Sequence, residues 1–226
     1  MSEIKLAVLD VAGTTAKDGG LVVQAFLVAM EPLGLGQTEL DSMVDYVNAT
    51  MGQRKIDVLM HLCNSDEVAA NAAHDRFVEA YSNLVAEGLL EEFEGISELF
   101  RALRSKGVGV AITTGFPRSI LDFIIEDLNW AELLDLSVAA SEVNEGRPAP
   151  DMILRAISLY NEKFGTEVKP ANVIVVGDTD SDIQAGLRAE AALVVGVTSG
   201  ACTRAQLENS GATHILDFST QIVELI

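Results

Sequence analysis

Short, unbroken apolar runs recur along the chain at Ile4–Leu9, Val108–Thr113, Leu136–Ala140, Val173–Gly177, Leu193–Val197 and His214–Leu216. A continuous apolar run bounded by turn residues suits a strand buried on both faces of a parallel sheet. Between most of the runs the spacing changes to that of a helix, as in Ile96, Leu99, Phe100 and Leu103, or Ile120, Phe123, Ile124 and Leu128. Strands alternating with helices of that length predict an α/β fold, a Rossmann-like core built on a parallel sheet.

One interval breaks the alternation. After Lys17-Asp18-Gly19-Gly20 come three or four helical stretches, with no convincing strand until Val108. Leu40, Met43, Val44 and Val47 fall at helical spacing, as do Ala69, Ala73, Phe77, Ala80 and Leu84. Two charged, glycine-containing segments, Lys17–Gly20 and Glu87–Gly95, bracket the interval and read as hinges. The expected organisation is a core of residues 1–19 and 93–226, with a helical cap of residues 20–92 inserted just after the first strand. Such a cap can open and close over a site at the strand tips.

Composition adds exclusions. A chain of 226 residues can bury one good core with room for a smaller module. There is no run of eighteen apolar residues, and no basic segment followed by an apolar one at the N-terminus, which argues against membrane spans and secretion signals. Cys63 and Cys202 lack metal or redox spacing and read as free thiols, so a cytoplasmic setting is expected. A formal charge of −19 argues against nucleic acid or an anionic membrane as partner. It also means that an anionic substrate would need local cations, or a bound divalent metal, to reverse the sign inside its site.

Candidate chemistry gathers at the strand ends. The first run ends in Asp10-Val11-Ala12-Gly13-Thr14-Thr15, and ligands of open α/β sheets sit beyond the carboxyl ends of strands, so Asp10 is placed in the site. Three further polar segments follow predicted strands: Thr113-Thr114-Gly115, Gly146-Arg147-Pro148 and Gly177-Asp178-Thr179-Asp180-Ser181-Asp182. Together, in this order, the four segments resemble the haloacid dehalogenase superfamily of phosphotransferases across the whole core. The resemblance implies that Asp10 is a nucleophile that forms an aspartyl-phosphate. It implies a Mg²⁺ held by the Asp10 and Asp178 carboxylates and the Ala12 carbonyl, with Asp182 orienting metal-bound water or its neighbours. Thr114 and the amides near Gly13 and Gly115 would bind phosphoryl oxygens, and Arg147 would supply a fixed cation. Thr14, Thr15 and Thr113 either touch substrate or cap helices.

Two positions depart from the superfamily's usual phosphatases. Ala12 stands where a second aspartate ordinarily protonates the leaving alkoxide, and Arg147 stands in place of a lysine. Both departures are similar to the phosphonatase (phosphonoacetaldehyde hydrolase) subfamily, whose Asp-x-Ala-Gly-Thr-Thr pattern the chain matches. Met51-Gly52-Gln53-Arg54-Lys55 resembles that subfamily's cap segment, and Arg118, after Thr113-Thr114-Gly115, resembles another of its positions. The resemblance implies that Lys55 forms a Schiff base with a 2-oxoalkylphosphonate, with Met51, Gly13, Gly115 and Arg118 contacting substrate. Burial under the cap, or the neighbouring Arg54, would have to lower the lysine pKa.

The match to phosphonatase is incomplete. Val58, Phe116 and Gly20 stand where that subfamily has histidine, tyrosine and cysteine, and His61 reads as an ordinary helix residue. The alternative is a Mg²⁺-dependent phosphomonoesterase resembling phosphoglycolate phosphatase, with Lys55 binding only an anion. A non-enzymatic binding module is a third reading, opposed by the intact Asp10, Asp178, Asp182 and Arg147. The stripe Leu21, Ala25, Val28 and Ala29 suits either a cap-to-cap homodimer or packing inside the cap.

Overall fold

The computed structural model describes residues 3–226. From the first strand, β1 (Leu6–Asp10), the chain makes a two-residue strand, β2 (Ala16–Lys17), and then four helices: α1 (Leu21–Met30), α2 (Gln37–Ala49), α3 (Lys55–Leu62) and α4 (Glu67–Ala86). It returns through β3 (Glu91–Glu92), and helices and strands then alternate: α5 (Ile96–Ser105), β4 (Gly109–Thr114), α6 (Arg118–Asp127), β5 (Leu136–Ala139), α7 (Asp151–Phe164), β6 (Val173–Gly177), α8 (Asp180–Arg188), β7 (Leu193–Val197), α9 (Arg204–Asn209) and β8 (His214–Leu216).

The six longer strands form one sheet in the order β5-β4-β1-β6-β7-β8, with every pairing parallel. All five residues of β1 are buried, and alternate ones enter opposite layers. Ala7 and Leu9 join a core with α5 and α6, while Leu6 and Val8 join another with α7 and α8. The apolar run is continuous because helices cover both faces. Chain direction across the sheet reverses between β1 and β6. That switch point opens a crevice at the strand tips, flanked by Asp10 and Asp178.

The helical interval departs from expectation in two details. The first is a small antiparallel ribbon that pairs Ala16 with Glu92 and Lys17 with Glu91, so the two connections are tied to each other. The second is the buried stripe of α4, which runs through Ala70, Ala73, Phe77, Tyr81 and Val85, leaving Ala69, Ala80 and Leu84 only half-buried at its rim. This stripe packs on α1, where Phe26 meets Phe77 with ring centroids 4.7 Å apart. Leu21, Ala25 and Ala29 are buried within the chain, and of that stripe only Val28, 49% exposed, faces outward. Among the described residues no helix is long and apolar enough to cross a membrane.

Candidate active site

Four loops at the carboxyl end of the sheet, the last of them Ser199–Ala201 after β7, converge with the first turn of α3 on one cavity of about 390 Å³. The loop after β1 contributes Asp10, Ala12 and Gly13, that after β4 contributes Thr114, Gly115 and Phe116, and that after β6 contributes Asp178 and Thr179. The opposite wall is Lys17–Gly20, Val22 and Val23, then Asn48, Met51, Gly52 and Lys55.

The floor is a closed network of buried polar groups. Arg147 donates to Asp10 Oδ1, lies 2.8 Å from Asp182 Oδ1, and donates through its other terminal nitrogen to Thr113 Oγ1 at 2.7 Å. Asp182 Oδ2 accepts from the Thr179 amide at 3.1 Å and from its hydroxyl, which caps α8. Thr14 Oγ1 donates to Asp178 Oδ1 at 3.0 Å, and the Ala201 amide donates to Asp178 Oδ2 at 2.7 Å. Gly13 has φ +87°, and a Cβ there would sit 2.4 Å from Asp178 Oδ2, so this turn requires glycine.

Asp10, Asp178 and Asp182 offer carboxylate oxygens within 4.8 Å of one another, all buried. Three carboxylates against one guanidinium leave an excess of two negative charges, and hard oxygen donors of that charge suit a divalent cation. Burial, partly opposed by Arg147 and reinforced by Asp182, raises the Asp10 pKa to about 6. Burial and the charges of Asp10 and Asp182 hold Asp178 well above the carboxylate range. Both are signs of anions crowded without enough countercharge. Arg147 and Thr179 engage the two oxygens of Asp182, Thr14 and the Ala201 amide engage those of Asp178, and Arg147 engages only Oδ1 of Asp10. A metal here would therefore draw on Asp10 Oδ2 and on the second lone pairs of carboxylates already held in place.

Lys55 begins α3 and is only 5% exposed. Its amide donates to the Gly115 carbonyl at 3.2 Å, which seats this turn on the floor. The ammonium lies 5.2 Å from the centroid of the Phe116 ring and 3.5 Å from the Gln53 carbonyl. Burial lowers its pKa to about 8 against the pull of Asp10 and Asp18.

The geometry brings Asp10, Ala12, Gly13, Met51, Lys55, Thr114, Gly115 and Asp178 to one cavity, with Arg147 and Asp182 immediately beneath. Arg118 is a correction. It lies outside the cavity lining, and Asp122 at 3.1 Å, Glu142 and the Ser137 hydroxyl at 2.9 Å hold its guanidinium. Arg54 is another, since it pairs with Asp57 at 2.8 Å and donates to the Asn144 carbonyl, and the cation that helps lower the Lys55 pKa is Arg147. Thr14, Thr15 and Thr113 cap no helix. Thr14 and Thr113 hold Asp178 and Arg147, and Thr15 Oγ1 donates to the Asp10 carbonyl at 2.8 Å. His61 is exposed and stacks on Tyr46 with centroids 4.1 Å apart, outside the lining.

Sequence reasoning missed Asp18, Asn48 and the Ser199–Ala201 turn. The last of these follows β7, so the strand-tip rule that found Asp10 and Asp178 would have reached it. Asp18 and Asn48 lie among helices, where no such rule applies.

Comparison with known proteins agrees with this geometry. The profile of the family described as haloacid dehalogenase-like hydrolase matches residues 7–196. A bifunctional phosphonoacetaldehyde hydrolase/aminoethylphosphonate transaminase of Clostridioides difficile is 27% identical over 92% of this chain, which spans only 34% of that longer protein. A phosphoglycolate phosphatase of Aquifex aeolicus is 24% identical over 82% of this chain and 81% of its own. In fold, a phosphonoacetaldehyde hydrolase-like protein from Oleispira antarctica superposes with a TM-score of 0.83 at 22% identity, covering 99% of this chain and 91% of that one. With the profile covering most of the sheet and every loop of the floor except the turn after β7, the chain belongs to the haloacid dehalogenase-like hydrolase family.

Proposed function

We propose that the protein is a phosphonatase-like hydrolase that cleaves the C–P bond of a 2-oxoalkylphosphonate. The observation that carries the reading is Lys55: a buried amine, pKa about 8, lining the same cavity as Asp10 while Ala12 offers no acid. Residues 20–92 act in this reading as a lid over the core.

Lys55, as the neutral amine, adds to the substrate carbonyl carbon, and the neutral carbinolamine, on taking one proton at its hydroxyl, loses water to leave a protonated imine. Asp10 attacks phosphorus; the C–P electron pair moves into the iminium, and carbon departs as a neutral enamine. No alkoxide forms, so the absence of an acid at position 12 costs nothing. The enamine takes a proton from water at the carbon that left phosphorus, regenerating the iminium, and water then hydrolyses the iminium and the aspartyl-phosphate, returning Lys55 and Asp10. Thr114 and the Gly115 amide donate to phosphoryl oxygens, while the Gly13 amide, expected from the sequence to do the same, donates instead to the Ala16 carbonyl at 2.8 Å; Arg147 keeps Asp10 ionised and aimed. Asp10, Asp178 and the Ala12 carbonyl would hold a Mg²⁺, whose charge would let a carboxylate and a phosphoryl anion approach.

A screen of 2-oxoalkylphosphonates against sugar and acid phosphates, with Mg²⁺ present, tests the proposal. Phosphate release from the phosphonates, with a borohydride-trapped adduct on Lys55, is the expected result; release from phosphate esters alone, without an adduct, refutes it. The second reading, a phosphomonoesterase, is favoured by one observation: Asp18, a carboxyl lining the cavity with a pKa raised by burial, is an acid that could serve a leaving alkoxide.

A further inference from the structure

Imine formation moves protons, and the positions that carry them in the subfamily this chain resembles hold Val58, Phe116 and Gly20 here, none of which can do so. The titratable side chains lining the cavity are Asp10 and Asp178 on the floor, and Lys17, Asp18 and Lys55 on the opposite wall. Lys17 is half-exposed and paired with Glu91 at 3.1 Å. Asp18 has no cation bonded to it. Its carboxylate accepts from the amides of Gly20 at 3.1 Å and Val22 at 3.3 Å, which fix it at the start of α1 without neutralising it. Asp18 and Lys55 line the same cavity.

We infer that Asp18 is the proton carrier for imine formation at Lys55, an inference that rests on the Schiff-base reading. The Asp18 carboxylate takes one proton from the Lys55 ammonium through a water, since no hydrogen bond joins the two side chains, the Lys55 nitrogen resting on the Gln53 carbonyl at 3.5 Å. The neutral amine adds to the carbonyl carbon, and a proton passes from nitrogen to oxygen, giving a neutral carbinolamine. The Asp18 carboxyl then returns its proton to the carbinolamine hydroxyl, which leaves as water while the nitrogen lone pair closes the C=N bond. One ammonium and one carbonyl have become one protonated imine and one water, and Asp18 ends as the carboxylate it began as. Burial raises the Asp18 pKa, which brings its protonated form within reach of this cycle.

The competing group is Tyr81, whose hydroxyl is buried and, among the described residues, without a hydrogen-bond partner. It lies outside the cavity lining, its ring packed on Phe116 with centroids 4.5 Å apart, and burial raises its pKa well above the usual phenol value. It is poorly placed to exchange protons with the cavity.

The test is the rate at which full-length, Mg²⁺-loaded enzyme forms a borohydride-trapped adduct on Lys55 with 2-oxopropylphosphonate, followed by quench and mass spectrometry. Asp18→Asn keeps an oxygen for the Gly20 and Val22 amides but cannot carry the proton. We expect adduct formation at least ~100-fold slower, the lower end of the range for loss of a general acid–base group. We expect formate to restore part of the rate in Asp18→Ala, and Tyr81→Phe to match the wild type. Equal rates in Asp18→Asn and wild type overturn the inference, as does a slow Asp18→Ala enzyme that formate does not rescue, which would make Asp18 structural only. A ~100-fold loss in Tyr81→Phe instead of Asp18→Asn moves the role to Tyr81. A wild-type enzyme that forms no adduct sinks the Schiff-base reading itself, and this inference with it.

Discussion

The Lys55 amine has to be neutral to attack a carbonyl, and the structure sets how much of it is. With an ordinary pKa of 10.5, roughly one lysine in a thousand is neutral at pH ~7.4; at about 8, roughly one in five is. The cavity therefore raises the reactive fraction roughly 200-fold. The same shift has a cost in stability. Burial disfavours the ammonium by roughly 3 kcal/mol relative to the unfolded chain. The unfolded chain binds the extra proton between the two pKa values, so stability rises with pH from about 8 to 10.5, and the penalty is full below about 8. Two results are expected. First, kcat/KM for a 2-oxoalkylphosphonate rises with pH to a plateau with an apparent pKa near 8, a limb absent from hydrolysis of an activated aryl phosphate. Second, Lys55→Met abolishes C–P cleavage yet stabilises the fold by roughly 1–3 kcal/mol at neutral pH, the lower figure reflecting the countercharge that Asp10 and Asp18 lose. For a chain of this size that is a rise in Tm of roughly 3–8 °C, fading as pH approaches 10.5. Thermal melts across pH and pH-rate profiles measure both. A pH-independent kcat/KM for the phosphonate, or a Lys55→Met protein less stable than wild type near pH ~7, would refute the reasoning.

Asp10→Asn should stop phosphate release from every substrate, since an amide forms no aspartyl-phosphate, and retention of more than about 1% of wild-type turnover would count against nucleophilic catalysis. Mg²⁺ at about 100 times its Kd should stabilise the protein by roughly 2.7 kcal/mol, read as a Tm difference with and without chelator; Asp178→Asn should shrink that difference, and an unchanged one would remove Asp178 from the metal site. Gly115→Ala places a Cβ 2.3 Å from the Gln53 carbonyl, so it should push the α3 turn off the floor and lower kcat by more than about tenfold with little change in Tm; wild-type kcat would show that the close approach is unimportant.

The sheet and the floor were legible in the sequence for one physical reason. Strands buried on both faces must be apolar throughout, so β1, β4, β6 and β7 stand out as runs, and the first polar residue after the β1, β4 and β6 runs lies at the crevice. Asp10, Thr114 and Asp178 were found in this way. What escaped was set by tertiary packing. Two residues of β2 and two of β3, with Lys17 facing Glu91, are too short and too charged to read as strands. The α4 stripe reaches Tyr81 because its neighbours on α1 and Phe116 select that face, while Ala80 is as plausible by spacing. Arg118 sits where the resemblance placed it along the chain. Asp122 one turn on and Glu142 across the loop turn its guanidinium away, and neither pairing leaves a mark in a local motif.

The two halves of the site meet at one seam, and the seam explains why the amine and the nucleophile need not be tuned separately. The Gly115 carbonyl accepts the Lys55 amide at 3.2 Å, and Gly115 also flanks Thr114 and Phe116, the floor residues against which the lysine stem and ammonium rest. Seating the α3 turn therefore buries Lys55 and positions it over Asp10 in a single movement. Because burial is the largest cause of its lowered pKa, the shift belongs to the seated arrangement. Lifting the turn would return the ammonium to water and its pKa toward 10.5. In the proposed mechanism, closing the lid over substrate would drive a proton off Lys55 as the carbonyl arrives, and Asp18, lining the same cavity, would receive it. A perturbation of the seam such as Gly115→Ala should accordingly move the pH-rate limb upward as well as lowering its plateau, whereas a defect confined to phosphoryl transfer would lower the plateau alone.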